Sequence, residues 1–562
     1  MGITEAGQLP HHVVKPLRPQ TPSQFTINSS AIDQMAARGK YEPLWLELVT
    51  VAAFCAFLFF YGLGAFGLVG ADEPRYAQIA REMLARHDWV TPVLNGVPWL
   101  EKPVLYYWGA MLSYSVFGVC DWAARVPSAV MASAMVLVTY FFMRRFRPGS
   151  QLDAALITAS LAGVIGFARA ASTDMPLTAT FTIAMLAWYA WFETRQNRWL
   201  AGFFVFLALG TLAKGPVAPF LAVLIVFPFL IARRDWTALR LTLWLPGLLL
   251  YFAVALPWYV LVQHANPQFV RVFIFEHNLA RYGTNMFQHR QPFWYFGPVV
   301  LLALMPWVAF AIVALVKALR ESLSRRSSFE LFFGLWAILP IIFFSFSQSK
   351  LPGYILPAMP PFAILVAEHL LRRMDEGNEP SLWLAALHSL VGAALLGFAL
   401  LSAYFVLKVK VIPTAEWIAA IVGIAVFFGM LTAIYARGVR TIRLATLIPL
   451  VLAMAFVIKV ASPAIDVKNS QRPVADRLSE IAKPGMPVAT TDVPRTVDFG
   501  LEFYRNQRVS DYAEGGVPMG DHIVIGRPGV EQAIVSMTNG RKVIPLGSFP
   551  PQNLEFYLVT TR

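Results

Sequence analysis

The chain is expected to fold as a polytopic α-helical membrane protein of about thirteen transmembrane helices, followed by a small C-terminal α/β domain. Three observations predict this. Hydrophobic residues make up 57% of the 562 residues and charged residues only 14%, far from a soluble average. Apolar stretches near the length that a helix needs to cross a bilayer recur along the chain. Lysines and arginines fall between them in alternate loops, as membrane topology requires.

Residues 1–43 carry Pro, Gln, Ser and His without an apolar core, and are expected to form a flexible cytoplasmic tail rather than a cleavable signal or a folded domain. A transmembrane region, 44–462, follows. Its apolar stretches lie near 44–67, 124–143, 152–169, 176–193, 199–213, 215–232, 241–262, 297–318, 330–347, 354–371, 382–407, 414–436 and 442–462. With the amino terminus inside, six successive return loops carry the basic residues. They hold Arg144, Arg145 and Arg147; Arg195 and Arg198; Arg233, Arg234 and Arg240; Lys317, Arg320, Arg325 and Arg326; Arg372 and Arg373; and Arg437, Arg440 and Arg443. One span missed or invented would invert every later loop, so the pattern ties the count and the orientation together. It also requires Val104–Val119 to lie in the interface rather than cross, a depth that Tyr106, Tyr107, Trp108 and Tyr114 suit.

The formal net charge of +13 invites a nucleic-acid reading. The basic residues, however, sit singly or in twos and threes between apolar runs, with no stripe interleaved with aromatics, and topology accounts for them. Cys55 and Cys120 do not form a disulfide framework, since Cys55 lies within the first apolar run.

The face opposite the arginine loops collects Asp72, Glu73, Arg75, Glu101, Lys102, Arg169, Asp174, Lys214, Glu276, His277, Arg281, His289, Arg290, Lys350 and Tyr354. Basic residues there run against the topological trend, and an anionic ligand near the membrane surface is the common physical reason. Most of the signal lies in the first outward loop, 68–123. Within it Tyr76, Ile79, Ala80, Met83 and Leu84 share one helical face, so Pro74–Arg86 reads as an amphipathic helix resting on the outer leaflet. Asp72-Glu73-Pro74 is a helix-start signal, yet one carboxylate would serve for that, and two beside Arg75 and Tyr76 favour a site. Asp174, before Met175-Pro176, reads equally as a helix N-cap. Lys350 and Arg75 read equally as snorkelling anchors, whereas Lys214 interrupts an apolar run and Lys102 follows Glu101. Tyr354 is either a cavity residue or an interface-belt tyrosine.

After Ala461 hydropathy falls. Val488–Thr491, His522–Gly526 and Glu555–Val559 read as short strands and Pro473–Ala482 as a helix, so 463–562 is expected to be a periplasmic α/β domain. It contains no GxxxxGK[ST] loop, which argues against an ATP-driven machine.

Six motifs, in order, carry a family resemblance: ADEPRYAQIAREML, DWVTPVLNGVPWLEKPVLYYW, STDMPL, LAKGP, EHNLARY followed by QHRQPFWYF, and SKLPGYILPAMPP. Together they resemble the polyprenyl-phosphate-dependent GT-C membrane glycosyltransferases, nearest the 4-amino-4-deoxy-L-arabinose lipid A transferases, with the protein O-mannosyltransferases as relatives. The resemblance implies a GT-C fold and transfer of a sugar from undecaprenyl phosphate to a lipid A phosphate, at the periplasmic face of the bacterial inner membrane. It implies Asp72, with Glu73, as the catalytic acidic pair and Asp174 as the family's second aspartate, binding the sugar amine or sharing the catalytic role. Lys102, Lys214, Arg75, Arg281 and Lys350 would bind donor and product phosphates, with Tyr76 and Tyr354 beside them. A divalent metal, Zn²⁺ or Mg²⁺, is weakly signalled: Glu101 and His277 would be its ligands, though no HxxxH or HExxH motif is present. The alternatives are a related GT-C enzyme acting on a protein or another lipid, for which Asp72 would be a true base, and a lipid transporter or flippase. A transporter calls for midplane charges and an internal repeat. The chain shows no repeat, and its charges gather at one face.

Overall fold

The computed structural model describes residues 43–280, 291–325, 327–375, 381–407, 415–438, 441–483, 485–513 and 516–561. The chain divides into two units, Met1–Leu46 and Glu47–Arg562. Of the first, only the start of a helix is described; the cavity and the sheet belong wholly to the second.

Each expected apolar stretch falls on a helix. Among the described residues seven helices are long and apolar enough to cross a bilayer, or nine if two bent pairs, Gln151–Ser160 with Ala162–Ala168 and Phe293–Ala303 with Val308–Ser322, each count as one span. Leu44–Phe60, Val217–Arg233 and Leu382–Gly397 are shorter apolar helices, and Asn197–Lys214 completes the series. The strict count is therefore below the expected thirteen, because several stretches stop short. Val217–Arg233, for example, has 17 residues and ends at Arg234, at φ +54°.

The helices are polarised end to end. Ion pairs tie the arginine-bearing ends to one another: Arg147 to Glu368 at 3.8 Å, Arg443 to Asp153 at 3.4 Å, Arg195 to Asp235 at 2.8 Å, and Arg372 to Glu321, Glu330 and Glu368. The other ends of the same helices carry Asp121, Asp174, Lys214 and Phe344. This is the separation that the alternating charge pattern requires.

The first loop folds onto the latter ends. The helix Asp72–Ala85 opens on two acidic residues, which favour its positive end, and it packs on Leu105–Phe117 through Tyr76, Ile79, Ala80, Tyr106, Tyr107 and Tyr114. Leu105–Phe117 leaves Leu112, Val116 and Phe117 exposed, an apolar edge that suits a helix lying in the interface. Strands β1 (Val93–Leu94) and β2 (Val97–Pro98) form a hairpin between the two helices.

The last apolar helix, Ile442–Phe456, runs through a π-helical turn into Ser462–Asn469. Beyond it β3 (Val488–Thr491), β4 (Val509–Asp511), β5 (His522–Gly526), β6 (Lys542–Phe549) and β7 (Leu554–Thr560) form one sheet in the order β4-β3-β5-β7-β6. Its first three strands are parallel and its β7 pairings antiparallel. β3 and β5 are buried throughout, as apolar strands covered on both faces must be. The helix Arg495–Arg505 joins β3 to β4 and carries Phe503 into the core of the first loop.

Candidate active site

Where the Asp72 helix, the start of Asp174–Thr194 and the end of Asn197–Lys214 converge, they enclose a cavity of about 580 Å³. Asp72, Glu101 and Asp174 line it together with Arg75, Lys102 and Lys214, with Tyr76 and Tyr354 beside them. The rest of the wall is apolar, with Phe220 and Leu221 from one membrane helix and Phe343 and Phe344 from another. A cavity lined by both charged and apolar side chains is suited to a molecule with a phosphate and a hydrocarbon chain.

Asp174 is the first residue of its helix, but its carboxylate does not cap it. Thr173 occupies the N-cap without a side-chain bond, and Asp174 is instead hydrogen-bonded to Lys214. Lys214 is the last residue of its own helix, where a cation is favoured, and its ammonium lies 5.3 Å from the centroid of the Tyr354 ring. Gly215 leaves room for Phe273, which a Cβ would strike. Tyr354 thus belongs to the cavity rather than to an interface belt.

On the other side Arg75 is hydrogen-bonded to Asp72. Both line the cavity; the Arg75 side chain is 13% exposed and that of Asp72 57%, so the carboxylate is the more open of the two. Burial opposes the Arg75 charge, yet Tyr76, Asp72 and Glu101 outweigh it and raise its pKa above the ordinary arginine value. Tyr76 is buried, and burial, together with Asp72, Asp174 and Glu101, pushes its phenol up. It is a neutral hydroxyl set among three carboxylates.

Two residues expected at the site stand elsewhere. Glu73 faces away from the cavity. Its Oε1 accepts from Arg125 Nε at 3.0 Å and from the Ala171 backbone N–H at 2.7 Å; its Oε2 accepts from Arg125 Nη2 and the Val69 backbone N–H, both at 2.8 Å. Four bonds leave it structural, and the acidic pair divides into one cavity carboxylate and one buried strut. Lys350 is also buried, with Nζ donating to the carbonyls of Ser347 at 2.6 Å and Gln291 at 3.0 Å. Arg281 and the His277 side chain lie outside the described residues. The expected pairing of Glu101 with His277 around Zn²⁺ or Mg²⁺ therefore has one described member. Among the described residues no three His, Cys, Asp or Glu side chains converge as metal ligands.

Two buried arginines hold the approach to the site: Arg125, which the sequence did not single out, and Arg169, which it placed only among the residues of the outward face. Arg125, 1% exposed, donates to the carbonyls of Leu63 at 2.9 Å, Phe66 at 2.8 Å and Gly67 at 2.8 Å as well as to Glu73. Arg169 holds the carbonyls of Leu58, Tyr61 and Gly62 at 3.1, 2.9 and 2.8 Å. Both fasten the segment leading into Asp72. The signal for Arg125 was its place within an apolar run, where a lone charge calls for a partner.

Fold and cavity together define a multi-pass membrane protein of the GT-C class. The crystal structure of ArnT from Cupriavidus metallidurans bound to undecaprenyl phosphate shares the fold, with a TM-score of 0.74 at 22% identity over 91% of this chain and 97% of that one. The family model for dolichyl-phosphate-mannose-protein mannosyltransferase matches residues 44–273. The undecaprenyl phosphate-alpha-4-amino-4-deoxy-L-arabinose arabinosyl transferase of Serratia proteamaculans is 32% identical over 406 residues, 68% of this chain and 70% of that protein. The Pseudomonas aeruginosa UCBPP-PA14 protein of the same name is 35% identical over 355 residues, 62% of this chain. The chain matches 64% of the length of that Pseudomonas relative. It belongs to the undecaprenyl phosphate-alpha-4-amino-4-deoxy-L-arabinose arabinosyl transferase family.

Proposed function

We propose that this protein transfers 4-amino-4-deoxy-L-arabinose, or a sugar like it, from undecaprenyl phosphate to a phosphate of lipid A. The observation that carries the reading is the cavity itself, which Asp72, Asp174, Arg75, Lys102 and Lys214 line together with aromatic and aliphatic side chains of apolar helices. Both reactants carry phosphates and hydrocarbon chains, and the cavity offers for each what it needs.

In the transfer, a lipid A phosphate oxygen bonds to the anomeric carbon as the bond from that carbon to the carrier phosphate breaks. Undecaprenyl phosphate leaves with the bonding pair. The acceptor phosphate is already ionised at neutral pH, since its second pKa is about 6, so no strict base is required. Electrostatics and positioning dominate. Asp72, the exposed carboxylate, faces the positive charge that develops on the sugar; Asp174 holds the sugar amine; Lys102 and Lys214 meet the phosphates, with Arg75 paired to Asp72. Asp72 and Asp174 are each bonded to a cation, and the transfer as described uses these side chains alone.

The orientation we infer places the amino terminus in the cytoplasm, with thirteen crossings and with the cavity and the C-terminal sheet in the periplasm of the inner membrane. It is supported by the arginine pairs at the opposite helix ends. A transporter would keep its ionisable site near the bilayer midplane, whereas these residues sit at helix termini. The match to the protein mannosyltransferase family model supports a second reading, with a protein hydroxyl as acceptor and Asp72 as base.

Membrane vesicles containing the protein decide between them. Mass spectrometry of lipid A should show one added amino-pentose only when the lipid-linked donor is supplied. Unmodified lipid A together with a glycosylated protein would select the second reading.

A further inference from the structure

The C-terminal domain reaches the reacting end of the molecule in two places. The first is the segment before Asp72. Its backbone polar groups are distributed between two sets of partners, as buried backbone requires. Arg125 and Glu73 hold one side. From the C-terminal side, Asp466 accepts from the Gly67 N–H at 2.7 Å and Tyr504 from the Leu68 N–H at 2.7 Å, while Arg472 donates to the Gly64 carbonyl at 3.3 Å. Val69 pairs with Ser470 in an isolated bridge.

The second place is Arg75 itself. Its guanidinium carbon lies 5.2 Å from the ring centroid of Tyr76, 5.1 Å from that of Trp99 and 5.3 Å from that of Phe499. Three aromatic faces therefore surround one cation, and the third comes from the helix Arg495–Arg505, in the C-terminal domain. Arg75 reaches Asp72 through Nη2, and its Nε is buried without a hydrogen-bond partner among the described residues. The Asp72 contact fixes one end of the guanidinium, and the three rings pack around the rest of it.

We propose that Phe499 is a positioning residue for the transfer: the C-terminal domain supplies the ring that holds Arg75 against Asp72, and so fixes the orientation of the carboxylate. The domain is then a structural part of the active site. This rests on the role given to Asp72 above, but the contact itself has a separate readout.

The test is a double-mutant cycle on the full-length protein in detergent or vesicles, with Phe499→Leu and Phe499→Trp, each made alone and in an Arg75→Ala background. Phe499→Leu keeps an apolar side chain without a ring face and is expected to lower kcat about tenfold with KM for the lipid-linked donor unchanged. Phe499→Trp should stay within about twofold of wild type, since indole is the better partner for a cation. In the Arg75→Ala background Phe499→Leu should have no further effect. Wild-type kcat in Phe499→Leu, or the same loss in both backgrounds, would overturn the proposal. If the wild-type protein transfers no sugar, the proposed reaction fails, and the contact is read from thermal melting: the fall in Tm caused by Phe499→Leu should shrink when Arg75 is already alanine. Equal falls would overturn it.

Discussion

Gly353 stands so close to Asp174 that a Cβ built on it would overlap the carboxylate. The segment Pro352–Ala358 is a 3₁₀ helix that also carries Tyr354, so this glycine lets one wall of the cavity close on the Asp174–Lys214 pair. Gly353→Ala should displace the carboxylate or the Tyr354 ring. A displacement near 1 Å at a reacting centre costs about a hundredfold in rate, and kcat/KM for the lipid-linked donor is expected to fall by that order. Gly353 is itself buried, and an added methyl group there overpacks the site, so a lower melting temperature should accompany the loss of rate.

Asp72 and Glu73 are neighbours in sequence with opposite expected phenotypes. Asp72→Asn should abolish transfer and leave melting near wild type, since its side chain is more than half exposed. Glu73→Ala strands Arg125, whose side chain is 1% exposed, and breaking such a buried pair costs about 3–5 kcal/mol. Thermal melting and vesicle assays on the two variants should therefore separate completely. A folded, inactive Glu73→Ala would show that the strut also acts in the chemistry.

The two lysines expected to bind phosphate also divide. Lys214→Gln should raise KM for the donor and lower kcat, with the fold intact, because its ammonium borders the cavity. Lys350→Met should leave KM alone and destabilise by about 1–3 kcal/mol, the cost of leaving buried carbonyls unpaired. Donor titrations alongside melting curves check both.

These contrasts show what was legible in the sequence. Hydropathy is a one-dimensional property, so every apolar stretch found its helix, and the alternation of arginines with apolar runs was enough to separate the two ends of the bundle. Asp72, Asp174 and Lys214 could be named because an ionisable group beside a lipid-embedded run is costly to keep unless it binds or reacts. Direction could not be read in the same way. Successive residues on a helix point about 100° apart, and nothing in Asp72-Glu73 says which of them meets the cavity until Arg125 and the Ala171 N–H are brought from distant segments. The burial of Lys350 was hidden for the same reason: it donates to carbonyls of Ser347 and Gln291, and every residue has a carbonyl. Phe499 was invisible because its contact with Arg75 depends on how a separate domain docks, which no local pattern encodes.

That docking also carries a pH dependence. Glu502 lies one turn beyond Phe499, 4% exposed, with Oε1 accepting from Asn95 Nδ2 of the β1–β2 hairpin and Oε2 buried without a partner among the described residues. Burial first, then Asp498 and Glu82, pushes its pKa up from 4.5 to about 7, against the pull of Asn95 and the Val509 N–H. Between these values the folded protein holds a proton that the unfolded chain has lost, so stability falls as pH rises, by up to about 1.4 kcal/mol per pH unit. Above pH 7 both states are ionised and this contribution levels off; below 4.5 both are protonated and the native contact is strongest. Glu502→Gln is neutral throughout and should remove the slope. Melting temperatures measured from pH 5 to 8 are expected to drop for wild type relative to Glu502→Gln up to about pH 7, with the variant the more stable at pH 8. Parallel curves would mean that Glu502 is ionised in the folded protein across the whole range, and that the Asn95 contact holds a carboxylate rather than a carboxylic acid.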